Sequence, residues 1–323
     1  MSTPTLGSLG EQAILQRIFP RLPIARAQLL GPGDDAALVS TPDARVVITT
    51  DLMVHGPDFR LAWSSPFDLG FKAAASNLAD VAAMGAVPTA LVVAIAASSD
   101  TPVAFLEGIA DGLRAGCEAL APGCGVVGGD LSVSSVLTIA VTAIGDLEGR
   151  SPVLRSGARE GDVVAVSGVL GESAAGLRLL FAHALVDGEP DAAAAVDLAV
   201  QHPAALAAHL RPHPPIADGP AAALAGATAM LDLSDGLAID GLRLARASEV
   251  MLDFASAAIG SREALDGGED HSLLATFPAG SMLPGGFRAI GVVRAGAGVF
   301  IDGAPYEGDR GWDPFRGWDG KAG

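Results

Sequence analysis

Apolar and polar positions alternate along this chain with two periods, and the switches between them mark out its elements. Leu9 to Phe19 keeps a helical spacing and ends at Pro20 and Pro23. Ala36 to Val39 and the β-branched run Arg45 to Thr50 read as strands, the second placing Asp51 at its C-terminal end. Ser65-Pro66 predicts a helix start, a serine cap followed by proline in the first turn, and Gly85 the stop after Met84. Pro88 to Ala97 is a continuous apolar run of strand length. Thr101-Pro102 begins a helix on which Leu106, Ile109, Leu113 and Leu120 keep one face. Gly125 to Gly128 reads as a small-residue strand leading into Asp130, with Val136 to Ile144 beside it. This half therefore alternates β and α, with strands close enough in sequence for an antiparallel or mixed sheet.

The second half repeats the mixture. Asp162 to Ser167, Thr228 to Leu233, Ser272 to Phe277, Phe287 to Val293 and Gly298 to Asp302 read as strands. Gly171 opens one helix, the alanine-rich Asp191 to Leu210 reads as another, and Ser234-Asp235-Gly236 caps a third. Glycine and serine at the Gly171 start leave backbone N–H groups that could meet a phosphate. A length of 323 residues exceeds one typical core. The change of character at Gly149 to Asp162, where Arg150, Arg155 and Arg159 fall in a Ser/Gly-rich connector, predicts domains 1–149 and 150–323.

Charge then narrows the function. Twenty Lys+Arg face 37 Asp+Glu, a formal net charge of −17, which argues against nucleic acid or an anionic membrane as the main partner. A phosphorylated small molecule stays open, because bound cations invert a local field. No apolar run is long enough to span a bilayer, and Met1-Ser-Thr-Pro-Thr lacks the pattern of a signal peptide, so a cytoplasmic location is expected. Cys117 and Cys124 read as buried small hydrophobes.

The candidate chemistry is carboxylate chemistry. Asp34 and Asp35 follow the Gly31-Pro-Gly turn. Similar carboxylates recur in Thr49-Thr50-Asp51, in Asn77-Leu-Ala-Asp80, in Gly128-Gly129-Asp130 and in Asp232-Leu-Ser234-Asp235-Gly236. Each stands where an element meets a glycine or small polar residue. Brought together, they make an all-oxygen site of the kind magnesium prefers; left apart, they are solvated acidic loops. Lys72, Ser76 and Asp80 lie four apart on an otherwise alanine-rich helix, a polar stripe that faces either solvent or a cleft.

With Arg155-Ser-Gly-Ala158, Gly171-Glu-Ser-Ala-Ala-Gly-Leu177, Arg211-Pro212 and Gly267-Gly-Glu-Asp270 added, the motifs stand in an order that resembles the thiamine-monophosphate kinase family. That family belongs to the superfamily of aminoimidazole-ribonucleotide synthetase, selenophosphate synthetase and the hydrogenase maturation dehydratase. The resemblance implies an α/β (α+β) fold of two domains like that synthetase, with an N-terminal mixed sheet and helices used in dimerisation and a C-terminal α/β domain. It implies a homodimer, ATP, and several Mg2+ ions held by Asp34, Asp35, Thr49, Thr50, Asp51, Asp80, Asp130, Asp232 and Asp235. It further implies ATP contacts from Gly129, Asp130, Arg155 and Ser234, and substrate contacts near Glu269 and the C-terminal aromatic segment. Asp51, Asp130 and Arg155 are the expected catalytic set, the two aspartates as direct metal ligands on the triphosphate. The acceptor, the phosphate of thiamine monophosphate, has a second pKa near ~6 and is already a nucleophile at neutral pH. No general base is needed, and none of the six histidines stands out as one.

The departures fall on the substrate side. The family pattern Glu-Gly-x-His-Phe is here His55-Gly-Pro-Asp58-Phe59, and His271-Ser-Leu273 stands where Tyr-Glu-Leu is usual. Pro215 replaces an arginine, and Gly311-Trp312-Asp-Pro314-Phe replaces Gly-Tyr-Asp-His-Phe. Either His55 and Asp58 take over the phosphate contact with Trp312 stacking on the thiamine rings, or the pocket has changed its acceptor. A degenerate nucleotide-binding paralogue is the third reading.

Overall fold

The computed structural model describes residues 4–9, 11–32 and 36–308. It contains two main sheets. The first has four strands in the order Val47–Val54, Thr138–Asp146, Val87–Ala97, Gly125–Val133, the last pair parallel and the others antiparallel. Helices Pro66–Ala83 and Val103–Leu120 cover one face, and their apolar stripes fuse with that face into one core. Thr138–Asp146 shows why: its odd positions Ile139, Val141 and Ala143 are buried, as the period of two requires.

The helix Pro66–Ala83 carries much of the site, and its start follows from local chemistry. Ser65 Oγ accepts the Asp68 N–H and the Asp68 carboxylate accepts the Ser65 N–H, a reciprocal cap with Pro66 in the first turn. Its partner helix lies unusually close. A Cβ on Gly70 would overlap the Ile109 carbonyl, and one on Gly112 the Phe67 carbonyl, so only glycine permits this approach.

The second sheet has seven strands, in the order Ala229–Leu233, Ser272–Phe277, Val163–Ser167, Arg288–Arg294, Met251–Phe254, Gly298–Ile301, Ala304–Pro305. Only Met251–Phe254 and Gly298–Ile301 run parallel; the other neighbouring pairs are antiparallel. Ala229–Leu233 is buried along its whole length and contacts the helix Pro66–Ala83, which joins the two halves at Asp232.

Three expectations are corrected. Asp51 lies mid-strand, because the alternation continues to Val54. The strand from Gly125 runs through Asp130 to Val133. Asp191 to Leu210 is two helices, Ala192–Gln201 and Pro203–Leu210, because Pro203 cannot donate to the preceding turn.

Candidate active site

Where the helix Pro66–Ala83, the strand Val47–Val54 and the strand Ala229–Leu233 meet, a cleft of about 710 Å³ opens. Thr49, Asp80, Asp232, Arg45 and Arg155 line it. Thr49 Oγ1 donates to Asp80 Oδ2 at 2.8 Å. Asn77 Oδ1 accepts the Asp51 N–H at 3.2 Å, while its own amide donates to the Ala73 carbonyl. Asn77 thus fixes the aspartate strand to the helix. Burial, then the neighbouring charges of Asp232 and Asp51, push the Asp80 carboxyl up to about 7. Asp51 is raised by the same causes, burial first, with His271 opposing. Asp51, Asp80 and Asp232 therefore repel one another across this cleft. Among the described residues no three metal-binding side chains are already gathered around one point. The donor set nevertheless fits a hard cation: it is oxygen-only, and its repulsion is what a cation relieves.

The floor of the cleft is the segment 267–271. Glu269 and His271 hold left-handed backbone, φ +68° and +51°. The Glu269 N–H donates to the Ser234 carbonyl and the His271 N–H to the Leu233 carbonyl. Asp270 turns the other way and accepts the N–H groups of Gly171 and Ser173 at 2.5 and 2.8 Å. The helix start at Gly171, expected to be open to phosphate, is therefore occupied by a carboxylate of the chain itself. His271 Nδ1 lies 3.3 Å from Asp232 Oδ2. Burial would lower the imidazole, but Asp232 and Glu269 outweigh it and raise it to about 9. Asp235, expected as a ligand, is instead paired with Arg243 at 2.6 Å.

Beside the cleft is a second cavity, of about 280 Å³, with a different lining. Phe59, Trp63, Leu177 and Phe181 give it apolar walls, and Asp58, Arg60, Lys72 and Glu269 its charges. Trp63 and Phe181 meet edge to face at 5.0 Å, and Trp63 Nε1 donates to the Ala184 carbonyl. The Arg60 guanidinium sits 5.0 Å from the Trp63 ring and 4.8 Å from the Phe181 ring, a cation–π arrangement. Asp58 accepts the Val54 N–H at 2.7 Å. His55 does not line the cavity; it stacks on Phe59, 5.6 Å between ring centres. Arg60, Trp63 and Phe181 escaped sequence reasoning. The available signal was Trp63 itself, one of three tryptophans in a chain only 5% aromatic.

Other candidates are kept apart. The register aligns Asp51, Val141, Val93 and Gly129 on the helix-covered face. Thr50 and Asp130 share the opposite face, and Thr50 Oγ1 donates to the Val141 carbonyl. Asp130 is also three strand spacings from Asp51, roughly 14 Å. Within one chain the two expected triphosphate ligands therefore do not meet, because the pleat sends them to opposite sides. Asp130, Gly129 and Gly128 instead line a cavity with Gly31 and Pro32. Arg155 is exposed at the rim of the acidic cleft, its carbonyl accepting from Ser248 Oγ. Ser234 contributes its carbonyl to the Glu269 turn. Asp34, Asp35 and Trp312 lie outside the described residues.

A two-sheet fold with a carboxylate cleft at the junction is that of the AIR-synthase-related proteins, and residues 33–147 match the model for "AIR synthase related protein, N-terminal domain". Over the whole chain the likeness sharpens. A thiamine-monophosphate kinase of Mycobacterium tuberculosis is 44% identical, with 97% of this chain and 94% of that protein covered. The crystal structure of the thiamine-monophosphate kinase from Stenotrophomonas maltophilia K279a superposes with a TM-score of 0.74 at 30% identity, covering 91% of this chain and 96% of that one. AaThiL complexed with AMPPCP and TMP superposes with a TM-score of 0.71 at 32% identity, covering 97% and 99%. The chain belongs to the thiamine-monophosphate kinase family.

Proposed function

We propose that this chain transfers the terminal phosphoryl group of ATP to the phosphate of thiamine monophosphate, giving thiamine diphosphate and ADP. The observation that carries this reading is the adjacency of two unlike cavities: a carboxylate cleft rimmed by Arg45 and Arg155, and an aromatic pocket, with Lys72 and Glu269 at the latter's wall. One suits a metal-bound triphosphate and the other a flat heteroaromatic substrate. An acceptor phosphate oxygen bonds to the terminal phosphorus of ATP as the bond to the bridging oxygen breaks and ADP leaves. The acceptor is a dianion at neutral pH, so no protein base is required.

Asp51, Asp80 and Asp232 would hold magnesium, with Thr49 and Asn77 orienting Asp80 and the Asp51 strand. Bound magnesium would neutralise phosphate charge and favour in-line attack. Arg155 and Arg45 add positive charge at the rim. The apolar walls of the second pocket keep water from competing as acceptor.

The same reading includes a homodimer. The uncovered face of the first sheet exposes Ile48 (64%), Leu52 (57%) and Val133 (77%). Two copies packed on that face would bring Thr50 and Asp130 to the partner, where Asp130 could complete a nucleotide site with Gly128 and Gly129. We take 1–149 and 150–323 as the two domains and the cytoplasm as the location. Among the described residues no helix is long and apolar enough to cross a membrane.

The test is ADP release by purified protein with ATP and magnesium, with and without thiamine monophosphate, with thiamine diphosphate detected directly. Stimulated ADP release matched by diphosphate supports the assignment. ATP binding without stimulation would mean that Asp58 and His271 have changed the acceptor.

A further inference from the structure

Lysine occurs at two positions in this chain, Lys72 and Lys321, so 18 of the 20 basic residues are arginine. Lys72 is the only lysine among the described residues, and it is not on the surface, where lysine usually resides. Its side chain is 9% exposed, and its ammonium lies 2.5 Å from Glu269 Oε2. Burying an ammonium is costly unless it is paired. A chain that otherwise uses arginine keeps a compact point charge here.

The position says what that charge is for. Lys72 and Glu269 both line the aromatic pocket. Glu269 also acts on Asp51 in the acidic cleft, and Lys72 acts on Asp58 and His209 on the pocket side. The pair therefore stands where a substrate held by its rings in one cavity must present its phosphate to the other. The two partners are unequally free. The Glu269 side chain is 43% exposed against 9% for Lys72, so the carboxylate can leave and the ammonium cannot. Glu269 is carried on left-handed backbone pinned by Ser234, and Lys72 on the capped helix Pro66–Ala83. Each is set by its own half of the molecule.

We infer that Lys72 receives the acceptor phosphate, and that Glu269 neutralises the ammonium until the phosphate displaces it. The inference rests on the activity proposed above and adds to it the residue that distinguishes a phosphorylated acceptor from its dephosphorylated form. It also accounts for an aspartate at position 58. A carboxylate beside the acceptor phosphate is tolerable when a buried ammonium stands between them. Compact ammonium suits a tetrahedral phosphate approached on one side, whereas a guanidinium fork demands a planar approach.

The experiment is calorimetric titration of wild type, Lys72→Met and Glu269→Gln with thiamine monophosphate and with thiamine, alongside product formation by wild type. Thiamine fills the aromatic pocket but carries no phosphate. Lys72→Met is expected to weaken thiamine monophosphate by about tenfold to a hundredfold, the loss of a charged hydrogen bond, while thiamine binding stays unchanged. Glu269→Gln, which removes the competitor, is expected to favour the monophosphate over thiamine more strongly than wild type does. Parallel losses for both ligands in Lys72→Met, or an unaltered ratio in Glu269→Gln, would overturn the assignment while leaving a wild type that makes thiamine diphosphate as the kinase proposed. If Lys72→Met does not fold, the Glu269→Gln ratio decides alone. A wild type that neither binds nor converts thiamine monophosphate overturns both.

Discussion

The acidic cleft and the aromatic pocket share a wall but are built on opposite principles. The cleft gathers carboxylates that repel: burial and its neighbours raise Asp80 to about 7, and Asp51 moves the same way. Its empty form is strained electrostatically, and what relieves it must come from outside the chain. The pocket is already satisfied. Trp63 has its carbonyl, Arg60 stands over two rings, and Lys72 has Glu269. One region is poised for a cation and polyphosphate, the other preshaped for a ring system. The difference teaches that charge is left unbalanced only where a charged ligand completes the site.

The sharpest way to break this comparison is to neutralise the cleft. Asp51→Asn is expected to lower turnover by about a hundredfold to a thousandfold, the scale of losing one group that stabilises transferring charge. Thiamine binding in the pocket should not change. Steady-state kinetics paired with thiamine titration checks this, and an Asp51→Asn enzyme with normal turnover and magnesium dependence would remove Asp51 from the site.

Next in size is the pocket. Phe181 is 43% exposed, so Phe181→Ala should cost little stability but weaken thiamine and thiamine monophosphate alike, about tenfold, through lost aromatic contact. ATP affinity should hold. An effect on ATP of equal size would show that the two cavities are not separate.

Acid separates the regions by sign. Burial, with Lys72 nearby, lowers His209 to about 3, so it is neutral in the fold. An unfolded chain would protonate it below 6.5, and the stability it contributes, complete above that pH, is lost as pH falls toward 3. Asp80 runs the other way. Its folded pKa is raised, the fold holds more protons than the unfolded chain between about 4 and 7, and stability therefore falls as pH rises through that window. In magnesium-free buffer, Asp80→Asn should melt about 3–5 °C above wild type at pH 7.5 and match it near pH 4. His209→Asn should show less acid loss than wild type. Parallel pH–Tm curves for wild type and Asp80→Asn would mean that the cleft is not strained.

The smallest expected effect sharpens the comparison by its absence. Thr50 faces away from both cavities. Thr50→Val should leave thiamine and thiamine monophosphate binding unchanged and alter stability by about 0.5 kcal/mol or less. A large loss of turnover would instead place Thr50 in a site completed by a second copy.

Much of the framework was legible locally. The cap at Ser65 and Asp68, the stop at Gly85 and the apolar periods lie within a few residues of the elements they define, and helices and strands form by local rules. The preference for a hard cation was legible too, since it depends on donor type alone. Asp130 was misplaced because a motif fixes a residue on a strand but not the side its neighbours give it. The glycine-opened helix at Gly171 was misread because the carboxylate that fills it lies 97 and 99 residues away in the chain. Trp63 similarly finds its carbonyl 121 residues on, at Ala184.

The sequence by itself determined which elements form, what chemistry the carboxylates can do, and the family likeness carried by their order. Only the tertiary structure decided which of those carboxylates face one another, that Asp235 is tied to Arg243, and that the one lysine of the described fold stands between cleft and pocket. The reason is physical. Propensity and periodicity act over a turn of helix or a few strand residues, whereas burial, charge repulsion and partner choice act between groups that only the closed fold brings within reach.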